Sequence, residues 1–237
     1  MNTLLSQEIA VKNRMFSIIA HDLRSPFTFL TGMTKMMITN ADTYSREKLI
    51  EYAKIVNQSS HKIYDVMENL LEWSLFQLDG EKLDIKLIPI RDVVLEAQGA
   101  LDSVAEEKGV KIHNQIGNQQ VFADYHVVVT ILRNLFSNAI KFSNNGDTVD
   151  VTVQDKGDNV EIIVSDSGAG IPEQTIGNLF AVDQKTTTEG TAGEIGSGLG
   201  LPLCADLVKK IGGSLRVESE LGKGSRFIAV LPATCSD

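Results

Sequence analysis

Cysteine is almost absent from the 237 residues: Cys204 and Cys235 are the only two. They are too few for a disulfide framework and lack the CxxC spacing of a zinc site, which points to reduced thiols and a cytoplasmic location. No run of 18 or more apolar residues occurs, so no membrane contact is expected of this segment. The opening Met1-Asn2-Thr3-Leu4-Leu5-Ser6 has no basic stretch leading into an apolar one, which argues against a signal peptide. Positive charge is scarce as well. Twenty-two Lys and Arg stand against 31 Asp and Glu, giving −9, and no Lys/Arg cluster interrupts the pattern. Nucleic-acid binding, which draws on a basic face, is therefore not expected. The motif GxxxxGK[ST] is missing, which excludes an ordinary P-loop.

The remaining composition is that of a folded chain, 43% hydrophobic and 22% charged. Glycine and proline are unevenly spread. From Leu5 to about Leu78 the only internal glycine is Gly32 and the only proline is Pro26. This part reads as two long helices joined by the polar turn Thr39–Ser45. Ile9, Phe16, Leu23, Leu30 and Met37 recur every seven residues, with Leu5, Ile19 and Met33 near the companion position. Leu49, Val56, Ile63 and Leu70 do the same in the second helix, beside Tyr52, Val66 and Trp73. Such a seam argues for coiled-coil-like packing, and a single hairpin cannot enclose it. Two hairpins joined as a four-helix bundle can, so a homodimer is expected.

Beyond residue 80 short apolar runs alternate with helical patterns. The expected order is strand Leu83–Ile88, helix Asp92–Lys108, strand Val110–Gln115 and helix Tyr125–Phe142 behind an Asp124 N-cap. Strands Thr148–Gln154 and Val160–Ser165 then flank the turn Lys156–Asn159. A helix near Pro202–Ile211 and strands Ser214–Glu218 and Ser225–Leu231 complete the chain. The fold class is thus multidomain α plus α/β, with residues 1–79 a helical hairpin and 80–237 an α/β sandwich having helices on one face of its sheet.

Chemistry is concentrated in a few segments. On the first heptad His21 takes the outward f position, with Asp22 adjacent, Ser25 one turn on, and Pro26 expected to bend the helix. A carboxylate beside an imidazole fixes its tautomer and leaves the other ring nitrogen free to attack. His61 also falls at f but has only Ser60 and Lys62 beside it, as an ordinary solvated histidine would. On the Tyr125–Phe142 helix, Asn134, Asn138 and Lys141 share a face at i, i+4 and i+7. Amide oxygens are hard ligands suited to Mg²⁺, and the ammonium can hold phosphate. The same spacing also suits a plain polar stripe. Asp166-Ser167-Gly168-Ala169-Gly170-Ile171-Pro172 follows an apolar strand, where a carboxylate can accept from adenine's N6 amine; a tight turn is the other reading. Gly196-Ser197-Gly198-Leu199-Gly200-Leu201-Pro202 runs into a helix N-terminus and offers amides to phosphate, without the GxGxxG spacing of a dinucleotide fold. The Thr- and Gly-rich stretch Asp183–Ile195 suits either a lid over a nucleotide or a surface loop.

Phe16–Pro26 resembles the H-box of sensor histidine kinases. The later segments, in order, resemble the N, G1, F and G2 boxes of their catalytic domain, with Gly222–Phe227 matching the last glycine motif. The resemblance covers roughly residues 10–232 and implies a Bergerat-type ATP-binding fold. It implies ATP-dependent phosphorylation of His21, assisted by Asp22, and transfer to an aspartate of a response-regulator receiver domain. Asn138, with Asn134, would hold Mg²⁺, and Lys141 would support the phosphates. Phe142 would pack near adenine and Asp166 would bind its amine. Gly168, Gly170, Ile171, Phe180, Gly196, Gly198, Leu199, Gly200, Leu201 and Ser225 complete the implied ATP site. Ser25 stands where the family carries Thr or Asn, in the role linked to dephosphorylating the regulator. The segment Asn178–Val182 departs most from its box, lacking the acid-proline-phenylalanine sequence after Phe180. A related ATPase or serine kinase, and a nucleotide-gated switch without self-phosphorylation, are the competing readings.

Overall fold

The computed structural model describes residues 23–77, 83–181, 188–194, 196 and 198–234, and the chain divides into two units, Met1–Asp79 and Gly80–Asp237. In the first, helix α1 runs over 23–39 and α2 over Arg46–Gln77. Ser45 starts α2 by accepting the Lys48 amide on its hydroxyl at 3.3 Å. Tyr44 and Tyr52 meet edge to face at 5.6 Å, fixing the turn against the helix it starts. Thr28, Thr31 and Thr34 return their hydroxyls to carbonyls one turn back, at 2.8, 2.8 and 2.9 Å. Along α1 the half-buried side chains include Leu23, Pro26, Leu30, Met33 and Met37, which is the heptad seam. Along α2 Leu49, Tyr52, Val56 and Ile63 are half-buried. The hairpin covers this seam without closing it. The bend expected at Pro26 depends on residues that lie outside the described ones.

The second unit contains a five-stranded sheet in the order β2-β4-β5-β7-β6 and a two-stranded ribbon, β1-β3. Its elements are β1 Lys86–Pro89, α3 Ile90–Gly99, α4 Asp102–Lys108, β2 Lys111–Gln115, β3 Gln120–Ala123 and α5 Tyr125–Phe142. Then come β4 Thr148–Asp155, β5 Asn159–Asp166, α6 Glu173–Ile176, α7 Gly200–Lys210, β6 Ser214–Glu220 and β7 Gly224–Pro232. β2 runs parallel to β4 and all other pairings are antiparallel.

Alternation along the strands builds one apolar face. Val149, Val151 and Val153 of β4 lie beside Asp166, Val164 and Ile162 of β5, which in turn neighbour Ser225, Phe227 and Ala229 of β7. Nearly all of these are buried hydrophobics, and they meet the apolar stripes of α5 and α7. The opposite face mixes the buried Ile163 and Ile228 with ion pairs: Arg216 pairs with Glu161 at 2.8 Å and Arg226 with Glu218 at 3.0 Å. Helix α5 begins as its sequence suggests, with Asp124 Oδ1 accepting the amides of His126 and Val127 at 3.0 and 3.2 Å. Tyr125 donates to Glu96 at 2.7 Å, tying α5 to α3; this bond, with burial, pushes the Tyr125 pKa up to about 12.

Several expectations are corrected. The single helix over Asp92–Lys108 is two, α3 and α4, because the chain turns at Ala100–Leu101 and Gln98 donates to Asp102 across the break at 2.9 Å. The strand expected at Leu83–Ile88 is Lys86–Pro89, whose last residue leads directly into α3. Strand β3 and helix α6 carried too few periodic residues to be anticipated; β3 forms because β1 supplies its hydrogen-bonding partner.

Candidate functional site

The site grows from the C-terminal half of α5. Ile131, Leu132, Leu135, Phe136, Ala139 and Ile140 are buried, which leaves Asn134, Asn138, Lys141 and Phe142 as a half-buried stripe facing the other way. Asn134 gives its amide hydrogen to the Thr130 carbonyl at 3.1 Å, so its oxygen remains directed outward. The Asn138 side chain makes no hydrogen bond among the described residues. Lys141 Nζ stands 4.6 Å from the centre of the Phe142 ring and donates to the Thr188 carbonyl at 3.0 Å.

The last carbonyls of a helix lack intrahelical partners, and here three separate segments supply them. Lys108 Nζ, from α4, donates to the Ile140 and Lys141 carbonyls at 2.9 and 2.6 Å. Ala169 donates its amide to the Phe142 carbonyl at 3.1 Å, and Thr191 donates its amide to that of Lys141 at 3.1 Å. Thr191 Oγ1 also bonds the Ser143 carbonyl. The end of α5 is thereby the junction of α4, the 166–172 loop and the 188–194 segment.

Asp166 closes β5 on the apolar face of the sheet and is 8% exposed. Its Oδ1 accepts the Gly168 amide at 3.0 Å and the Ser225 amide at 3.2 Å. Oδ2 has no hydrogen-bond partner in another residue among the described ones, so it remains available to a ligand donor. Burial raises the pKa of this carboxyl against the lowering effect of those amides, with Asp147 adding to the rise. Gly168 is required by closeness: a Cβ there would overlap the Phe142 carbonyl. Gly170 has φ +68° and a Cβ on it would overlap the Glu220 carbonyl.

The glycine segment before α7 lies against the α5 stripe. A Cβ on Gly200 would stand 2.5 Å from Asn134 Oδ1, and one on Gly196 would stand 2.9 Å from Lys141 Nζ. Gly198 has φ +76°, Leu199 is buried, and Leu201 is half-buried in the first turn of α7. Leu199 provides no side-chain cap, so the N-terminal end of α7 faces this region with its amides. Amide oxygens, an ammonium, helix-end amides and a buried carboxylate are thus brought together from three segments spread over residues 134–201. That donor set suits the base, the phosphates and the divalent cation of a nucleoside triphosphate.

Phe180 sits in the turn after α6, half-buried, and no hydrogen bond or ring contact joins it to the other site residues among the described ones. His21 and Asp22 lie outside the described residues, while Ser25 is exposed on α1. Three side chains escaped the sequence reading. Ser219 accepts the Ile171 amide at 2.8 Å, donates to the Gly224 carbonyl at 2.9 Å and lies 3.0 Å from the Ser225 hydroxyl, joining the two loops beside Asp166. Its position in a strand alternating half-buried and exposed residues was the available signal. Lys108 pairs with Glu194 at 2.5 Å, while Glu194 Oε2 accepts the Ala192 amide at 2.9 Å. Burial pushes the Glu194 carboxyl up, but the Lys108 ammonium and two backbone donors more than offset it, leaving its pKa below the ordinary value. Nothing in the local sequence around Lys108 or Glu194 marked either one. Among the described residues no helix is long and apolar enough to cross a membrane.

Residues 11–77 match the His Kinase A (phospho-acceptor) domain, and residues 123–234 match the histidine kinase-, DNA gyrase B-, and HSP90-like ATPase family. The circadian input-output histidine kinase CikA of Synechococcus elongatus is 31% identical over 227 residues, which are 94% of this chain and 30% of that protein. The sensor protein SrrB of Staphylococcus aureus is 26% identical over 223 residues, 94% of this chain and 38% of its own. The chain therefore spans about a third of the length of these curated relatives. Among solved structures, the Acinetobacter baumannii histidine kinase AdeS superposes with a TM-score of 0.69 at 20% identity, covering 91% of this chain and 98% of that one. The histidine kinase ThkA, in its complex with the response regulator protein TrrA, gives 0.75 at 21% identity, covering 97% and 64%. A phospho-acceptor domain followed in one chain by an ATPase domain of this type places the protein in the sensor histidine kinase family.

Proposed function

We propose that this chain is the kinase core that phosphorylates itself on His21 from ATP and passes the phosphoryl group to an aspartate on a response-regulator receiver domain. The observation that carries this reading is that Gly200 and Gly196 come up against Asn134 and Lys141, on the α5 face that also carries Asn138, while the loop after Asp166 docks on the Phe142 carbonyl at the end of the same helix. The Asp166 carboxylate takes the N6 amine of adenine, a selection against guanine, which presents an oxygen there. Phe142 and Ile171 flank the base; Gly168 and Gly170 let the backbone close around it, and Ser225 holds Asp166 in place. Lys141 and the amides of Gly198, Leu199, Gly200 and Leu201 serve the phosphates, and Phe180 is assigned to the edge of the site.

The outward oxygen of Asn134 and the amide of Asn138, which makes no hydrogen bond among the described residues, fit a hard divalent cation. These two residues would hold Mg²⁺, which when bound neutralises phosphate charge. In the transfer, a lone pair on one His21 ring nitrogen forms the P–N bond to the γ-phosphorus as the bond to the β,γ-bridging oxygen breaks and ADP leaves. Asp22 orients the imidazole and takes the proton from its other nitrogen. Positioning and charge stabilisation account for most of the acceleration. On transfer to the regulator the P–N bond breaks and an acyl phosphate forms. Ser25, exposed on the α1 surface, contributes to regulator docking and positions water for dephosphorylation. The unclosed seam of α1 and α2 is completed by a second copy, giving a homodimeric four-helix bundle.

Transfer of labelled γ-phosphate from Mg-ATP to the purified chain tests this reading. The expected label is acid-labile and base-stable, vanishes in His21→Ala and persists in His61→Ala. A wild type that binds ATP and never takes up label would support the nucleotide-gated switch instead.

A further inference from the structure

Outside the motifs just described, one cation is placed as if to serve the nucleotide site without touching it. The Lys108 side chain is 11% exposed, and an ammonium has three hydrogens to place. All three have acceptors: the Ile140 carbonyl at 2.9 Å, the Lys141 carbonyl at 2.6 Å and Glu194 Oε1 at 2.5 Å. Two of these belong to the end of α5, where the helix dipole favours a positive charge. The third belongs to a different segment 86 residues away in sequence.

Glu194 is held equally firmly. Its second oxygen accepts the Ala192 amide at 2.9 Å, bracing a tight five-residue loop, 190–194, that its backbone carbonyl closes by accepting the Gly190 amide at 2.7 Å. Gly190 fits there because a Cβ would collide with the Lys141 side chain and carbonyl. From this loop Thr191 bonds Lys141 and Ser143, and Thr188 receives the Lys141 ammonium. Two residues after Glu194, Gly196 comes up against Lys141 Nζ.

We propose that Lys108 and Glu194 are a positioning pair for the nucleotide site, holding the 188–194 loop on the end of α5 and so fixing where Lys141 and Gly196 meet the triphosphate. Neither residue touches ATP. Lys108 seats the Lys141 backbone directly and, through Glu194, the loop that delivers Gly196. Losing Glu194 leaves a nearly buried ammonium with two carbonyls and no counter-charge, while the loop loses its ion pair with Lys108. The pair therefore sets ATP affinity and leaves the chemical step to His21. This inference rests on the reading of the site as an ATP site.

The test uses the whole chain. Nucleotide binding is followed with Mg-ATP, and initial autophosphorylation rates are measured against ATP concentration. Thermal unfolding is recorded for the wild type, Glu194→Gln, Lys108→Glu, and the exchanged pair Lys108→Glu with Glu194→Lys. Glu194→Gln should raise KM for ATP about three- to tenfold, the scale of one charge-assisted hydrogen bond. Its kcat should stay within about twofold and its Tm should fall by about 2–8 °C, the loss being moderated because a Gln oxygen still accepts from Lys108 and residue 194 lies on the surface side of the pair. The exchanged pair should recover part of the affinity lost in Lys108→Glu, which a mere capping role for Lys108 would not allow. A wild type that binds ATP while Glu194→Gln keeps the wild-type KM overturns the positioning role alone. A wild type that binds no nucleotide, indistinguishable from Asn138→Ala, overturns the site assignment and the positioning role with it.

Discussion

Replacing Asp166 by Asn separates the two tasks of one carboxylate. Oδ1 of Asp166 receives the Gly168 and Ser225 amides, and an Asn oxygen can accept both in the same place. The other terminus then becomes an NH₂ group that, in the proposed site, meets the adenine amine donor to donor. The variant loses a hydrogen bond to a charged acceptor and gains an unpaired donor, a cost of about 2–3 kcal/mol, or about 30- to 150-fold in the Kd for ATP. Stability should move the other way. Burial raises the folded-state pKa of Asp166 above its unfolded value, so its contribution is complete below the unfolded pKa and is lost as pH rises through the folded one. At neutral pH the ionised carboxylate is thus a burden that Asn removes, and the Tm of Asp166→Asn should equal or exceed that of the wild type. Below the raised pKa this advantage disappears. ATP affinity of the wild type should also fall on acidification, starting at a higher pH than an ordinary aspartate would give. Calorimetric titration with ATP and GTP, with thermal scans from pH 4 to 8, reads all of these. An Asn variant that binds ATP as tightly as the wild type would refute the assignment; one that unfolds at pH 7 would refute the division of labour between the two oxygens.

Gly168→Ala forces a Cβ into the Phe142 carbonyl and should cost about 2–4 kcal/mol, lowering Tm by about 5–15 °C in thermal unfolding. Ser219→Ala leaves the Ile171 amide without its acceptor. It should weaken ATP binding about fivefold, by about 1 kcal/mol, with little change in kcat. Leu30→Glu puts a charge into the half-buried seam of α1 and should shift a dimer toward monomer by about a hundredfold or more in Kd, read by sedimentation at varied concentration.

The legible parts of this protein share a property: each is written in residues close together. Helix α5 was readable to its ends because a capping Asp124 precedes a continuous 3.6-residue apolar period. The heptad seam of α1 and α2 was readable for the same reason. The break between α3 and α4 was not, because both halves keep helical composition across Ala100–Leu101 and only the packing of α3 and α4 against α5 bends the chain there. Strand β3 was invisible because four residues carry almost no period, and its pairing partner lies more than thirty residues earlier.

The candidate site divides along the same line. By itself the sequence determined which groups were on offer: amides and an ammonium at helical spacing, a carboxylate at a strand end, and glycines ahead of a helix. Periodicity and backbone freedom are local properties, so these needed no fold to be seen. Only the tertiary structure decided that Gly196 and Gly200 lie over Lys141 and Asn134, that Asp166 has one oxygen committed and the other without a partner in another described residue, and that Ser219 locks the two loops beside Asp166 together. It alone brought Lys108 and Glu194 into an ion pair across 86 residues. Such contacts depend on how the sheet and helices close on one another, and burial then gives each charge its strength. No local pattern records either one.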